Sequence, residues 1–128
     1  MNRAYYLVKE FHTAFALPHR EKPCLLAADR TQKRVMWMRE EIDEFVAAET
    51  VCEQADAMID LMYFALGTLV EMGVEPEALF NIVHGANMSK IFPDGKPHYN
   101  EDNKVIKPEG WTGPEPLLEA EIERQSET

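Results

Sequence analysis

The sequence predicts an all-α protein, a four-helix bundle followed by an irregular C-terminal arm. When successive segments of the first 90 residues are placed at about 100° per residue, their apolar side chains gather on one side. Prolines stand between these segments or in a first turn, and turn residues become frequent from Pro93 onward. A chain of 128 residues is long enough for one core. We therefore expect a helical domain in residues 1–92, with residues 93–128 as an extended arm of that domain.

The first two predicted helices are separated by a loop. Residues Asn2 to Phe15 form the first helix, which places on one side Tyr5, Val8, Phe11, His12 and Phe15. On such a face a histidine is more often packed in the core than used as a ligand. Leu17 to Ala28 contains two prolines and is predicted to be a loop. Asp29 or Thr31 is expected to cap the second helix, which continues to about Ala48.

The third helix follows after a short connection, so the second and third helices are expected to pack antiparallel as a hairpin. It ends at Gly73, and Pro76 begins a fourth helix that runs to about Lys90. Most of the circumference of the third helix is apolar, which predicts that it is largely buried. Its apolar residues are Ala57, Met58, Ile59, Leu61, Met62, Leu66 and Leu69.

Three features are expected in the arm. Residues Tyr99 to Lys107 are predicted to form a small hairpin. Leu117 to Arg124 is predicted to be a short terminal helix, and Gln125 to Thr128 to fray.

Composition narrows the choice of partners and compartment. The net charge of −10 argues against a general nucleic-acid or membrane-surface partner. Cys24 and Cys52 form neither a CxxC motif nor a disulfide framework, so we expect reduced thiols in a cytoplasmic protein. The N-terminus lacks an apolar segment of signal-peptide length, and no apolar run is long enough to span a bilayer.

Two groups of carboxylates stand at helical spacing in the predicted second and third helices. No lysine or arginine occurs between Arg39 and Lys90. The second group occupies roughly a sixth of its helix circumference. The first group is Glu40, Glu41 and Glu44, and the second is Glu53, Asp56 and Asp60.

Carboxylates grouped on a mostly apolar helix repel each other and lose hydration, which is costly unless a cation lies among them. A divalent metal held by oxygen ligands from two facing helices removes both penalties, and Mg²⁺ suits such ligands, with Mn²⁺ as a substitute. For the first group alone, a solvated helix face would be the better interpretation. That interpretation fails for the second group, whose helix has little else that is polar. The pattern therefore favours metal binding.

Other reaction centres lack their motifs in this sequence. There is no glycine-rich phosphate loop and no Gly-x-Ser-x-Gly elbow. The four histidines form no metal-ligand pair, and the two Glu-x-x-His motifs of di-iron carboxylate bundles do not occur.

The EExxE pattern followed by ExxD resembles the MazG-like all-α nucleoside triphosphate pyrophosphohydrolases, a group that includes phosphoribosyl-ATP pyrophosphohydrolase. Further blocks resemble the small stand-alone, phage-type members. These blocks are EFHTAF, R-x-x-W-x-x-EE, DLMYFALGTLVEMGV, VHGANMSKI and DGKPHYNEDNKVIKPEGW, spread from Glu10 to Trp111.

The resemblance implies roles for these residues. The inner metal ligands would be Glu41, Glu44, Asp56 and Asp60. Glu40 and Glu53 would complete or bridge the site, and either could orient or deprotonate the attacking water. In family members the glutamate stands three residues before the aspartate of a DLLY-like run, where this chain has Ala57. Which acid holds which metal therefore stays open.

The resemblance also implies substrate-binding residues. Asn87 and Lys90 would contact phosphate, although Lys90 could instead offset a helix dipole. Lys104 could complete a neighbour's phosphate site. The candidate walls for the base are Trp37, Tyr63, His12 and Phe15, for which core packing is at least as good an interpretation.

The activity implied is Mg²⁺-dependent cleavage of a (deoxy)nucleoside triphosphate, for example a purine dNTP, to the monophosphate and pyrophosphate. Alternatives are a dUTP/dCTP-type or phosphoribosyl-ATP pyrophosphohydrolase, or a non-enzymatic acidic module that holds a basic partner. The apolar surface of the third helix exceeds what the other helices can cover, which predicts a dimer or a dimer of dimers. No nucleic-acid polymer and no membrane is expected as a partner.

Overall fold

The computed structural model describes residues 1–127 and contains five helices. They are α1 (Asn2–Ala14), α2 (Ala28–Ala47), α3 (Val51–Met72), α4 (Pro76–Met88) and α5 (Glu115–Ser126). Within residues 1–127 there is no β-strand, only one isolated bridge. The prediction of an all-α protein is confirmed. The chain divides into two compact units, Met1–Pro76 and Glu77–Glu127.

In the first unit, α1 and α2 both pack on α3. The core cluster joins Tyr5 and Val8 of α1 to Leu66 and Val70 of α3, and Val70 is fully buried. These residues lie three or four positions apart on each helix, so they share one face. The predicted inward side of α1 is confirmed for Tyr5, Val8 and His12 but is wrong for Phe11, which is 39% exposed, and for Phe15, which is 66% exposed.

Helices α2 and α3 run antiparallel, because partners that advance along α2 retreat along α3. This order is seen in the contacts Arg30–Glu71, Trp37–Phe64 and Glu41–Asp60. The predicted hairpin is therefore confirmed, with Ala48, Glu49 and Thr50 as the connection.

Both ends of α3 carry recognisable caps. Thr50 accepts a hydrogen bond from the Glu53 N–H (3.1 Å), and its hydroxyl lies 2.9 Å from the Glu53 carboxylate. The Thr50 side chain thus caps the N-terminus of α3, which is one of the two bonds of a capping box, while the Glu53 carboxylate accepts from the Thr50 hydroxyl. At the other end Gly73 adopts the left-handed conformation (φ 72°), as its position after the last apolar residue predicts. The loop before α2 is tied to this end, since the Cys24 N–H donates to the Met72 carbonyl (2.8 Å).

Two sequence predictions about these helices are wrong. Neither Asp29 nor Thr31 caps α2, because the helix begins one residue earlier than Asp29 and the Thr31 hydroxyl donates to the Ala27 carbonyl (3.1 Å). The single chain also leaves α3 less buried than its composition predicts. Ile59 is 60% exposed and Met62 is 52% exposed. The packing of α1 and α2 on α3 therefore leaves these apolar side chains of α3 uncovered.

The second unit begins within α4 and includes the predicted hairpin. Tyr99 and Val105 form an antiparallel bridge. The Asn100 side-chain oxygen accepts the N–H groups of Asp102 (2.9 Å) and Lys104 (3.0 Å), which closes the turn. The hairpin is confirmed.

The arm packs on its own α4 through Trp111. The Trp111 indole N–H donates to the Ser89 hydroxyl (2.8 Å) and approaches the Ala86 carbonyl (3.3 Å). The terminal helix is confirmed but is longer than predicted, so the expected fraying is wrong for Gln125 and Ser126. Thr128 lies outside the described residues.

Among residues 1–127, no single helix is both long and apolar enough to cross a membrane. The α3–α4 pair meets a length and composition test only when the two helices are counted together across their break.

Substitution of Gly73 tests the α3 cap. A Cβ at Gly73 would lie inside the van der Waals distance of the Lys22 carbonyl oxygen and 3.0 Å from the Arg20 Cβ. Combined with the positive φ, we expect Gly73→Ala to lower the free energy of unfolding by about 2–4 kcal/mol. Gly85→Ala is the matched control, because nothing lies within 4 Å of its added Cβ and it sits inside α4. That change should be neutral or stabilising by about 0.5–1 kcal/mol. Equal urea midpoints for the two variants would contradict this account.

Candidate metal centre and adjoining cavity

The antiparallel pairing of α2 and α3 brings three of the predicted acids together. Carboxylate oxygens of Glu41, Glu44 and Asp60 all lie within 4.8 Å of one another. Glu41 and Glu44 share a face of α2 because they are three residues apart, and Asp60 faces them from α3. Two helices of the hairpin thus contribute to one cluster, as the sequence predicts.

The cluster is electrostatically unfavourable when it holds only protein groups. One oxygen of Glu41, Oε2, is buried and has no hydrogen-bond partner. Burial, with the proximity of Glu44, Asp60 and Asp56, raises the pKa of Glu41 to about 7. Burial and the charges of Asp56 and Glu44 also raise the pKa of Asp60. The shifts show that the charged forms lack compensation.

These residues fit a divalent cation. All the donors are carboxylate oxygens, which are the ligands that Mg²⁺ and Mn²⁺ prefer. The buried, unpaired oxygen of Glu41 is the kind of group that a metal ion satisfies. Within residues 1–127, no lysine or arginine forms an ion pair with Glu41, Glu44 or Asp60.

The other predicted acids are distributed differently. Asp56 is exposed and lies close enough to the cluster to raise the pKa of both Glu41 and Asp60. Glu53 is exposed, its carboxylate accepts a hydrogen bond from the Thr50 hydroxyl, and it is not part of the three-residue cluster. Glu40 lines a groove on another side of α2. Adjacent residues on a helix point about 100° apart, which separates Glu40 from Glu41.

A buried network of charges, which the sequence did not reveal, lies two turns before Glu41 on α2. Arg30 donates from Nε and Nη2 to the two oxygens of Glu71 (2.9 Å each). Arg34 donates from Nε to the same carboxylate. These contacts lower the pKa of Glu71 although its burial acts in the opposite direction. The only hint in the sequence is the spacing of Arg30 and Arg34, one turn apart and opposite a single acid near the end of α3.

His12 of α1 completes this network. Its Nδ1 lies 2.7 Å from the Pro18 carbonyl oxygen, which can only accept, so Nδ1 carries the hydrogen and Nε2 is the acceptor. Nε2 lies 3.5 Å from Nη2 of Arg34. Burial lowers the pKa of His12, which keeps the ring neutral. Gly67 leaves the space for both side chains, because a Cβ there would lie 2.8 Å from Nη1 of Arg34 and 3.0 Å from His12 Nε2.

A cavity of about 160 Å³ adjoins the acidic cluster on the same two helices. Trp37 lies one turn before Glu41, and Tyr63 lies one turn after Asp60. Trp37 stacks on Phe64 with ring centroids 5.9 Å apart. The cavity is lined by Phe11, His12, Leu17, Arg30, Arg34, Trp37, Tyr63 and Phe64.

Three of the four predicted base-binding residues, His12, Trp37 and Tyr63, therefore share one cavity. Phe15 does not line it and instead packs on Phe11, with ring centroids 4.7 Å apart.

The remaining predicted substrate-binding residues belong to the second unit. The Lys90 ammonium lies 5.5 Å from the centroid of the Trp111 ring, and its backbone N–H donates to the Asn87 carbonyl (3.2 Å). Lys104 is exposed on the hairpin. Their proposed contacts with phosphate stay predictions.

Within residues 1–127 the chain is all-helical, as the resemblance of its sequence to helical nucleotide pyrophosphohydrolases implies. The comparisons with known proteins support that resemblance. A family model described as phosphoribosyl-ATP pyrophosphohydrolase matches residues 8–87, and the chain belongs to this family.

A crystal structure from Exiguobacterium sp. 255-15, described as a candidate NTP pyrophosphohydrolase, is similar over nearly the whole chain. The two sequences are 36% identical, the alignment covers 94% of this chain and 95% of the other, and the TM-score is 0.53. A comparison with curated proteins gives no match.

The raised pKa of Glu41 predicts how stability depends on pH when no divalent metal is present. The folded protein binds this proton up to a pKa of about 7, whereas the unfolded chain releases it near 4.5. The folded state therefore binds more protons in this window, and the free energy of unfolding should fall as pH rises from about 4.5 to about 7. Urea denaturation in EDTA should show a flatter pH profile for Glu41→Gln. A profile that is unchanged in Glu41→Gln would contradict the assignment.

Proposed function

We propose that this protein is a Mg²⁺-dependent nucleotide pyrophosphohydrolase that cleaves a (deoxy)nucleoside triphosphate to the monophosphate and pyrophosphate. The observation that carries the proposal is the position of the acidic cluster, one helical turn from an aromatic cavity on the same two helices. A nucleotide matches these two features. Its polyphosphate needs metal ions, which the acidic cluster would hold, and its flat base stacks on aromatic rings such as those of the cavity. The family and the Exiguobacterium relative support the same reaction class.

The cluster residues would hold the metal. Glu41, Glu44 and Asp60 supply the three closest oxygens, and a bound divalent ion would neutralise phosphate charge and lower the pKa of water. Asp56 is exposed beside the cluster and outside the closest three. We therefore assign to Asp56 the role of orienting the attacking water and accepting its proton. Because Glu53 is engaged by Thr50, we assign it a structural role.

The cavity would bind the base. Trp37 and Tyr63 continue the α2 and α3 faces that carry Glu41 and Asp60, so a base there points its sugar and phosphates toward the cluster. Phosphoribosyl-ATP should be tested as a substrate together with the nucleoside triphosphates, because the family model is described as phosphoribosyl-ATP pyrophosphohydrolase.

Pyrophosphate release tests this proposal. With millimolar Mg²⁺, at least one nucleoside triphosphate should yield monophosphate and pyrophosphate, and EDTA should abolish the reaction. Asp60→Asn should reduce kcat/KM by at least about a hundredfold, more than the usual loss on removing an outer partner of a metal ligand. It should also abolish the rise in Tm that Mg²⁺ produces through binding to the folded state. Asp43→Asn is the matched control, since Asp43 is an exposed acid in the groove on the other side of α2.

Release of orthophosphate alone, or no release of pyrophosphate from any substrate, would contradict the proposed reaction. An unchanged Tm at millimolar Mg²⁺ and Mn²⁺ would refute the metal site and favour an acidic interaction module instead.

The exposed apolar side chains of α2 and α3 support a homo-oligomer as the working form. Val46 is 78% exposed, Ile59 60%, Met62 52% and Ile42 47%, all on helices that carry the acids. Apolar side chains grouped in this way are typical of an interface. A two-fold dimer, or a dimer of dimers, would cover them.

Light scattering at micromolar concentration should give a mass of at least twice the 14.7 kDa of one chain. Ile59→Asp should shift this mass toward the monomer, because an unpaired charge in an apolar interface is costly. Leu25→Asp is the control, since Leu25 is 89% exposed in the loop before α2. A monodisperse monomer with full activity would contradict the proposal.

A further inference from the structure

The polar groups around the cavity are strongly biased toward hydrogen-bond donors. Arg30, Arg34 and the indole of Trp37 can only donate. Phe11, Leu17 and Phe64 bring no polar side-chain atoms. The two remaining lining side chains, His12 and Tyr63, are the ones that could accept.

The acceptor on His12 is already directed at the protein. With Nδ1–H bound to the Pro18 carbonyl, the lone pair is on Nε2, and Nη2 of Arg34 approaches it at 3.5 Å. Both oxygens of Glu71 accept from arginines and do not line the cavity. Tyr63 is therefore the one lining side chain within residues 1–127 whose acceptor remains available.

Arg34 has donor capacity left over. Its side chain is only 5% exposed, and its hydrogen bonds are one from Nε to Glu71 and the long contact from Nη2 to His12. A guanidinium has five N–H donors. The Nη1 group of Arg34, which lines the cavity with the rest of the side chain, therefore donates to no protein acceptor among the described residues.

The charged groups beside the cavity also favour a hydrogen-bond acceptor on the ligand. Two guanidinium groups, one carboxylate and a neutral imidazole leave one net positive charge among Arg30, Arg34, Glu71 and His12. A carbonyl oxygen of a base is attracted to this charge, whereas an exocyclic amino group would point hydrogens at guanidinium hydrogens.

We propose that the cavity selects an oxo base, with a carbonyl oxygen where the alternative base carries an amino group. The substrates are then 4-oxopyrimidine or 6-oxopurine nucleotides, and Arg34 is the residue that sets the choice. This inference rests on the proposed function, since it names the substrate class of that site. A site whose donors form hydrogen bonds with a carbonyl oxygen discriminates against the amino analogue, because the amino analogue leaves those donors unpaired.

Matched substrates test the proposal without any change to the protein. The nucleotides dUTP and dCTP differ in the 4-oxo or 4-amino group and in the adjacent N3, which is an N–H in dUTP and an acceptor in dCTP. In the same way dITP and dATP differ in the 6-oxo or 6-amino group and in the adjacent N1. With Mg²⁺ present, kcat/KM should favour at least one oxo member over its amino partner by about tenfold or more. Equal values within both pairs, or preference for the amino members, would overturn the proposal.

Arg34→Gln tests the residue assigned. A glutamine amide can donate or accept, so we expect the oxo preference to collapse by about tenfold while an amino substrate gains relative to its partner. Lys33→Gln is the matched control, because it removes the same charge from the adjacent, exposed position of α2 and should keep the preference. Preference retained in folded Arg34→Gln would overturn the role of Arg34. If that variant does not fold, the matched substrates decide.

Binding of the monophosphates separates this inference from the reaction class. By calorimetry, dUMP should bind the unaltered protein more tightly than dCMP, or IMP more tightly than AMP, even in EDTA. Equal affinity within both pairs would refute the oxo preference, whatever the pyrophosphate assay shows. Clear discrimination with no pyrophosphate release would refute only the reaction.

Discussion

The ion pairs that Glu71 forms with Arg30 and Arg34 fix the register of α2 on α3, and the candidate site depends on that register. Glu71 is 2% exposed, and a buried carboxylate without its partners is destabilising by about 3–5 kcal/mol. A shift of one helical turn would separate Arg30 or Arg34 from the carboxylate. The network therefore specifies one geometry, the one in which Asp60 stands opposite Glu41.

In this register the α2–α3 hairpin carries a net positive charge in one place and a net negative charge in the place next to it. Around Glu71 the balance is one net positive charge, while Glu41, Glu44 and Asp60 have no cation among them. The raised pKa of Glu41 indicates that the cluster destabilises the folded chain when Glu41 is charged beside the other acids. The Trp37–Phe64 stack and the ion pairs of Glu71 with Arg30 and Arg34 hold α2 on α3 despite this repulsion.

The sequence predicted those features that depend on neighbours along the chain. Gly73 and Pro76 mark helix ends, and the spacing of Glu41 and Glu44 places them on one face, as observed. The T-x-x-E motif could also have shown that Thr50 caps α3 and that Glu53 is engaged by this cap. The Arg34–Glu71 pairing could not be predicted, because pattern alone does not fix which residues of two helices meet. An exposed remainder of apolar surface on the third helix was predicted, but the pattern alone did not show that Ile59 would belong to it.

Gly67 serves both the packing of the helices and the positions of the side chains at the site. It lies one residue after the core residue Leu66 and one turn before Glu71, so α3 must approach both α1 and α2 here. A single methyl group at this position would meet Arg34 and His12 at 3.0 Å or less. Moving Arg34 would weaken its bond to Glu71, and moving His12 would weaken its bond to Pro18. The close approach of the helices at one glycine thus holds the donors of the cavity in place, and the same approach sets the distance between Glu41 and Asp60 two turns away.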